Sequence, residues 1–161
     1  MRGAGPIEIR PAREDEGEVF RDMALRSWLS AYSSLLPRTD IDNAPGMLER
    51  AWRERRDEFR IAIVGDTVAG FYSLGAATNS ETRNYLWHLY VDPVRHRQVI
   101  GRALHDAALA ELAERGALIA WLDVLEGNCR ARAFYRALGW HEAGPDPEDP
   151  GLVRMEIEFG H

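Results

Sequence analysis

The sequence predicts an α/β layer fold in one domain, and three observations carry that prediction. Strand-like and helix-like stretches alternate along the chain. Two strand–turn–helix units follow one another between positions 86 and 140. A two-residue turn signal, Gly65-Asp66, joins two apolar runs near the middle. At 161 residues the chain is long enough for one sizeable core and too short for two ordinary ones. Hydrophobic residues at 45% and charged residues at 29% exclude a disordered chain and fit a soluble globular domain.

The elements follow in order. Residues 1–6 read as a flexible N-terminus and 7–161 as the domain. Ile7 to Arg10 alternate as a strand. A helix from about Asp15 places Phe20, Met23, Ala24 and Trp28 on one face, and Glu14, Asp15, Glu16 and Glu18 sit where the helix dipole favours acids. A second helix is expected over Pro45 to Glu58, after a loop from Leu35. Phe59 to Val64 and Val68 to Leu74 form the hairpin. Leu86 to Val91 is a short strand stopped by Asp92-Pro93. The next helix carries Leu104, Ala107, Ala108 and Leu112 on one face, with Gly116 as its C-cap. Leu122 to Val124 is another strand. Asn128 then caps a helix with Ala131, Phe134, Tyr135 and Leu138 on its apolar stripe, and Gly139 ends it. Two strands close the chain, the last over Val153 to Phe159, joined by the loop Gly144-Pro-Asp-Pro-Glu-Asp-Pro-Gly151.

The first strand–turn–helix unit has an electrostatic consequence. A strand that turns into a helix aims several unpaired backbone N–H groups at one point, and that point attracts anions, phosphate esters above all. Arg95, Arg97 and Arg102 make the turn positive by side chain as well. The chain as a whole carries a net charge of −6, which speaks against nucleic acid and for a cationic small partner. All twenty basic residues are arginine, the pattern of a GC-rich genome. The single cysteine, Cys129, excludes an intrachain disulfide and a cysteine-based zinc site, and the five histidines lack ligand spacing, so no metal is expected. No apolar run approaches membrane-spanning length and no signal peptide is visible, so the expected address is the cytoplasm, with no membrane partner.

Together the two units resemble the GNAT superfamily of acyl-CoA-dependent N-acetyltransferases. The second family segment reads Asn-x-x-Ala-x-x-Phe-Tyr-x-x-x-Gly-Phe/Trp, matched by Asn128, Ala131, Phe134, Tyr135, Gly139 and Trp140. The first reads Val-x-Pro-x-x-Arg-Gly-x-Gly-x-Gly. Aligned from Val91 and Pro93, its arginine falls on His96, its first two glycines on Arg97 and Val99, and its last on Gly101. A second register, Gln98-x-x-Gly101-x-Ala103, lies two residues farther from the proline. The first is preferred because it also places Ile100 and Leu104 where the family helix has them. The run Trp28-x-x-x-Tyr32-x-x-Leu35-Leu36-Pro37 resembles the first-helix region of small members.

The resemblance implies a single GNAT-like domain, with a mixed, mostly antiparallel central sheet, a splayed strand pair and helices on both faces. It implies direct attack of a primary amine, on a small molecule or a peptide N-terminus, on the thioester of acetyl-CoA as cosubstrate. Leu89, Tyr90 and Val91 would line the coenzyme, with a backbone N–H there holding the oxyanion. His96, Arg97, Gln98, Val99, Ile100, Gly101 and Arg102 would cradle its pyrophosphate, and Asn128 and Tyr135 would meet its pantetheine end.

Tyr135 matches the family's general acid. A phenol with an ordinary pKa near 10 is protonated at neutral pH and suited to donate. The position of a general base holds Tyr85, Trp87 and His88, of which His88 is the best tuned, with Asp123 and Glu126 as rivals. Cys129 at a helix N-terminus has no histidine at motif distance, so covalent catalysis is not expected. The loops Leu35 to Pro45, Ala76 to Asn84 and Gly144 to Gly151 would set the acceptor. Asp146, Glu148 and Asp149 are either a solvated turn or an attractor for its ammonium group. Pairing into a homodimer is left open. The departures at His96, Arg97 and Val99 keep a second reading in view, a catalytically degenerate GNAT-fold module that binds an acyl-CoA or a partner.

Overall fold

A computed structural model describes residues 6–95 and 97–160, the side chains of Arg97 and Gln98 excepted. Eleven helices and strands appear in the predicted order: β1 (Ile7–Pro11), α1 (Gly17–Tyr32), α2 (Arg38–Arg55), β2 (Phe59–Val64), β3 (Thr67–Leu74), β4 (Leu86–Val91), α3 (Arg97–Glu114), β5 (Ile119–Leu125), α4 (Cys129–Ala137), β6 (His141–Pro145) and β7 (Leu152–Glu158). The strands form two sheets, ordered β1-β2-β3-β4 and β5-β7-β6, and the recorded pairings within each are antiparallel. The fold is the mixed α/β class expected. The N-terminal stretch read as flexible lies, except for Pro6, outside the described residues.

The chain divides into two compact units. The first comprises the described residues up to Ser73 together with His88–Leu109. Its core is aromatic: the Phe20 ring lies 4.8 Å from each of Trp52, Phe59 and Phe71, and Met23, Leu48 and Ile61 fill in around them. Such ring pairs contribute about 0.5–1.5 kcal/mol each beyond the area they bury. Phe20, Met23, Ala24, Ser27 and Trp28 are the buried stripe of α1, which includes all four residues its spacing assigned to one face. A 3₁₀ turn over Glu14–Glu16 precedes α1, where Glu16 accepts the Arg13 N–H at 2.7 Å and pairs with Arg10 at 2.6 Å.

The second helix corrects the expectation that it begins at Pro45. It begins at Arg38, and Pro45 lies inside it. Pro37 supplies the extended residue before the first turn, and its carbonyl accepts the N–H groups of Asp40 and Ile41 at 3.0 and 3.2 Å. Pro45 lacks the N–H that would reach back to Ile41. The helix nonetheless continues, because Ala44, Leu48, Ala51 and Trp52 form its buried face on both sides of the proline. Most of the loop expected from Leu35 to Pro45 is therefore helix.

The second unit comprises Leu74–Trp87 and the described residues from Ala110 onward. β5 alternates, with Ala120, Leu122 and Val124 buried. Here α3 ends as predicted at Gly116. With φ +82 that residue supplies the left-handed turn, while Ala117 donates to the Leu112 carbonyl and Gly116 to that of Ala113. The segment between β3 and β4 is clasped by two arginines: Arg115 Nη1 donates to the carbonyls of Gly75 and Arg83, and Arg83 Nη2 donates to that of Arg115.

Candidate active site

In the first unit the candidate residues sit on β4 and the start of α3. β4 is the last strand of its sheet. Three residues of α1 grip its C-terminal end: Tyr90 Oη donates to Tyr32 Oη at 3.1 Å, Ser27 Oγ lies 3.2 Å from the Val91 carbonyl, and Arg26 Nη2 donates to Asp92 Oδ2 at 2.7 Å. Asp92 is 2% exposed, and its other oxygen accepts the Val94 N–H. Burial opposes the carboxylate, but Arg26 and that N–H hold its pKa below the ordinary value. Leu89, Tyr90 and Val91 are thereby placed on a fixed strand end.

The turn leads into α3 at Arg97. His96 lies outside the described residues, as do the side chains of Arg97 and Gln98. Positions 97 and 99, where the family motif has glycine, belong to the first turn of the helix, and no described non-glycine residue has a positive φ. Glycine's left-handed conformation is thus not required at Val99, whose side chain is 50% exposed. The N–H groups of a helix's first turn have no intrahelical acceptor, so this turn retains the donors an anion needs. Ile100 at 1% exposure and Leu104 at 0% point into the core, so Ile100 offers a ligand only its backbone, beside buried Gly101. Arg102 is exposed and leans on Asp106 at 3.3 Å, a surface pair that holds it weakly.

His88, the residue expected as base, stands among aromatic rings. Its Nδ1 lies 2.6 Å from Ser73 Oγ, and its ring is packed near Phe59, Phe71 and Tyr90. Burial, with a smaller push from Arg55, lowers its pKa to about 3. A base that weak is neutral at working pH but takes a proton from an ammonium only at a large cost.

The second unit holds the candidate side chains Asn128, Tyr135 and Asp123. Asn128 caps α4, its Oδ1 accepting the Ala131 N–H at 3.2 Å. Cys129 follows as the exposed first residue of the helix. Tyr135 is the buried residue of α4, edge-on to Phe134 at 5.2 Å and Trp140 at 5.7 Å. Gly139 (φ +104) turns the chain out of the helix, and the Trp140 N–H returns to the Tyr135 carbonyl at 3.0 Å.

Asp123, on β5, faces Arg154 of β7 across the strand pair. Arg154 Nε and Nη2 donate to its two oxygens at 3.1 and 3.3 Å, and Nη2 also donates to Asp146 at 2.7 Å. The same guanidinium lies 4.1 Å from the Trp121 ring centre, and Trp121 stacks on Tyr85 at 4.2 Å. The two carboxyls are pushed apart. Burial raises Asp123 above the ordinary value, whereas the hydrogen bond with Asp123 and the N–H groups of Glu148 and Asp149 hold Asp146 at about 2. Asp146 is therefore neither a solvated turn residue nor free to attract an ammonium. At 8% exposure it organises the 146–149 turn and binds Arg154. Glu126 is exposed, and its carbonyl serves Arg132.

Sequence reading missed the Asp123–Arg154–Asp146 cluster, because nothing along the chain marks a partner 31 residues away. It also passed over Gly70, although an isolated glycine in a strand signals close backbone approach. Among the described residues no group of three or more His, Cys, Asp or Glu side chains could hold a metal ion, and no helix is long and apolar enough to cross a membrane.

A strand–turn–helix followed by an Asn-capped helix bearing Phe-Tyr is the arrangement that the sequence resemblance implies. The sequence matches the acetyltransferase (GNAT) family model over residues 20–140, and the chain belongs to that family. It is 43% identical over 58 residues to the ribosomal protein bS18-alanine N-acetyltransferase of Escherichia coli, a stretch covering 36% of this chain and 39% of that protein. Among solved structures, the paiA N-acetyltransferase of Thermoplasma acidophilum, in complex with coenzyme A, superposes with a TM-score of 0.77 at 22% identity, covering 96% of this chain and 99% of that one. The ribosomal-protein-S18-alanine N-acetyltransferase of Escherichia coli superposes with a TM-score of 0.64 at 21% identity, covering 97% and 96%.

Proposed function

We propose that residues 7–161 form one N-acetyltransferase domain that moves an acetyl group from acetyl-CoA directly to a primary amine. The observation that carries this reading is the Asn128–Trp140 segment, in which the cap, the apolar stripe and Tyr135 all stand where the family motif has them. The α3 first turn supports pyrophosphate binding through backbone donors, with Arg102 as the exposed cation. One backbone N–H of the Leu89 to Val91 stretch serves the thioester oxygen, and Asn128 and Tyr135 serve the coenzyme's pantetheine end. Tyr135 then returns a proton to the departing thiolate. Asp123 replaces His88 as the base, because burial raises its proton affinity where that of His88 is lowered.

The local identity to a protein-alanine acetyltransferase favours the α-amino group of a protein or peptide as acceptor over a small-molecule amine. The reaction calls for no metal, and a soluble cytoplasmic protein fits it. The test is a turnover assay by mass spectrometry with acetyl-CoA and a peptide beginning with alanine, alongside thermal shifts with acetyl-CoA, CoA, ATP and NAD. Acetylated peptide and a melting rise with the two coenzyme forms alone are expected. A coenzyme-dependent rise with no turnover on any amine would instead favour the degenerate binding module.

A further inference from the structure

Val91 is held from both sides. A Cβ built on Gly70 would meet the Tyr90 carbonyl oxygen at 2.6 Å, Leu104 Cδ1 at 3.0 Å and Val91 Cα at 3.3 Å. No side chain fits there without moving backbone, so the bare Gly70 is what lets the Tyr90 carbonyl close on β3. No described peptide bond is cis, so the N–H of Val91, in the same peptide unit, points the opposite way, off β3. The next peptide is fixed as well. Its carbonyl, on Val91, lies 3.2 Å from Ser27 Oγ, and its N–H, on Asp92, donates to the Ala69 carbonyl at 2.8 Å. Ser27 is 4% exposed and lies 2.9 Å from the Met23 carbonyl, so its hydroxyl is shared between α1 and β4.

We propose that Gly70 and Ser27 are positioning residues that aim the Val91 N–H at the acyl group. This rests on the acetyltransferase reading above. Gly70 sets the peptide plane before Val91 and Ser27 the plane after it, so the donor is preorganised before coenzyme arrives. A donor held in place for the developing oxyanion lowers the barrier without tightening the ground state, so its misdirection is read in kcat and not in affinity for unacylated CoA.

The experiment compares Gly70→Ala and Ser27→Ala with the parent for kcat, KM for acetyl-CoA, the dissociation constant of CoA, melting temperature, and the amide NMR shift of Val91 without coenzyme. Expected is a fall in kcat of about tenfold or more for Gly70→Ala and about threefold for Ser27→Ala, with CoA affinity within about twofold. The Val91 amide signal should move in both. A melting loss with kcat and the Val91 signal unchanged would overturn the proposal and leave both residues as packing. Should Gly70→Ala fail to fold, Ser27→Ala decides on the same readouts. The NMR shift needs no turnover, so a moved Val91 signal in a protein inactive toward every amine would sink the enzyme reading and leave the positioning geometry standing.

Discussion

The two regions that hold the candidate residues differ in what each offers a ligand. The β4–α3 region offers backbone: peptide groups at Leu89 to Val91, fastened by Tyr32, Ser27 and Arg26, and the first turn of a helix. The β5–α4 region offers side chains: Asp123 with a raised proton affinity, and Tyr135 buried beside Trp140. Backbone donors survive side-chain substitution, provided the conformation stays helical. On the proposed function, a turn with Arg97 and Val99 in place of the motif glycines would still offer its backbone donors, whereas Asn128, Phe134 and Tyr135 match the motif by side chain. A phenol or a carboxyl has no such substitute.

The largest effect should come from the side-chain region. Tyr135→Phe is expected to lower kcat about a hundredfold or more while CoA binding stays within about twofold, measured by steady-state kinetics and calorimetry. Turnover that survives would end the assignment of the acid and weaken the contrast between the regions. Asp123→Asn is expected to cost about tenfold or more in kcat. In the parent, the rate should fall as pH drops through a value above the ordinary aspartate value, and that acid limb should vanish in the variant.

His88 is the counterpart in the backbone region, and His88→Gln should leave kcat within about threefold. Its effect should be on stability. The folded protein holds His88 at about 3 against an ordinary 6.5, so the unfolded chain takes the proton first. Its contribution is complete above 6.5 and drains as pH falls toward 3, by up to about 1.4 kcal/mol per pH unit. Acid unfolding followed by circular dichroism should therefore be shallower in His88→Gln than in the parent. The smallest change belongs to Val99→Gly, which restores the motif glycine. Because that position is already helical, CoA affinity should move by less than about threefold, and stability should fall by under about 1 kcal/mol. A gain of tenfold or more in affinity would mean the valine side chain, and not the backbone, governs the turn.

The sequence exposed the order of elements because each is written locally. Gly65-Asp66 sits between two apolar runs, Asn128 stands before a helical stripe, and Gly116 and Gly139 mark helix ends. It misplaced the start of α2, since Pro45 looks like a first-turn proline and only the buried face at Ala44, Leu48 and Trp52 carries the helix past it. Asn128 as a helix cap was legible from spacing. Tyr135 reads from spacing alone as a core residue on the apolar stripe, and its proposed acid role rests on the family resemblance. The environments of His88 and Asp123, on which the proposed base rests, were not legible, because each depends on neighbours distant in sequence. Ser73 and Phe59 surround the histidine, while Arg154 and Asp146 face the aspartate.

Cys129, exposed at the head of α4 and the sole sulfhydryl in the sequence, has a consequence at the bench. Acetyl transfer liberates a thiol from the coenzyme, and the usual colorimetric reagents for that product would titrate the protein first, by one equivalent per chain. They would also leave an adduct next to the residue that caps the motif helix. The same isolation makes the position a ready attachment point for a fluorophore or spin label, set beside Asn128 without any engineered cysteine.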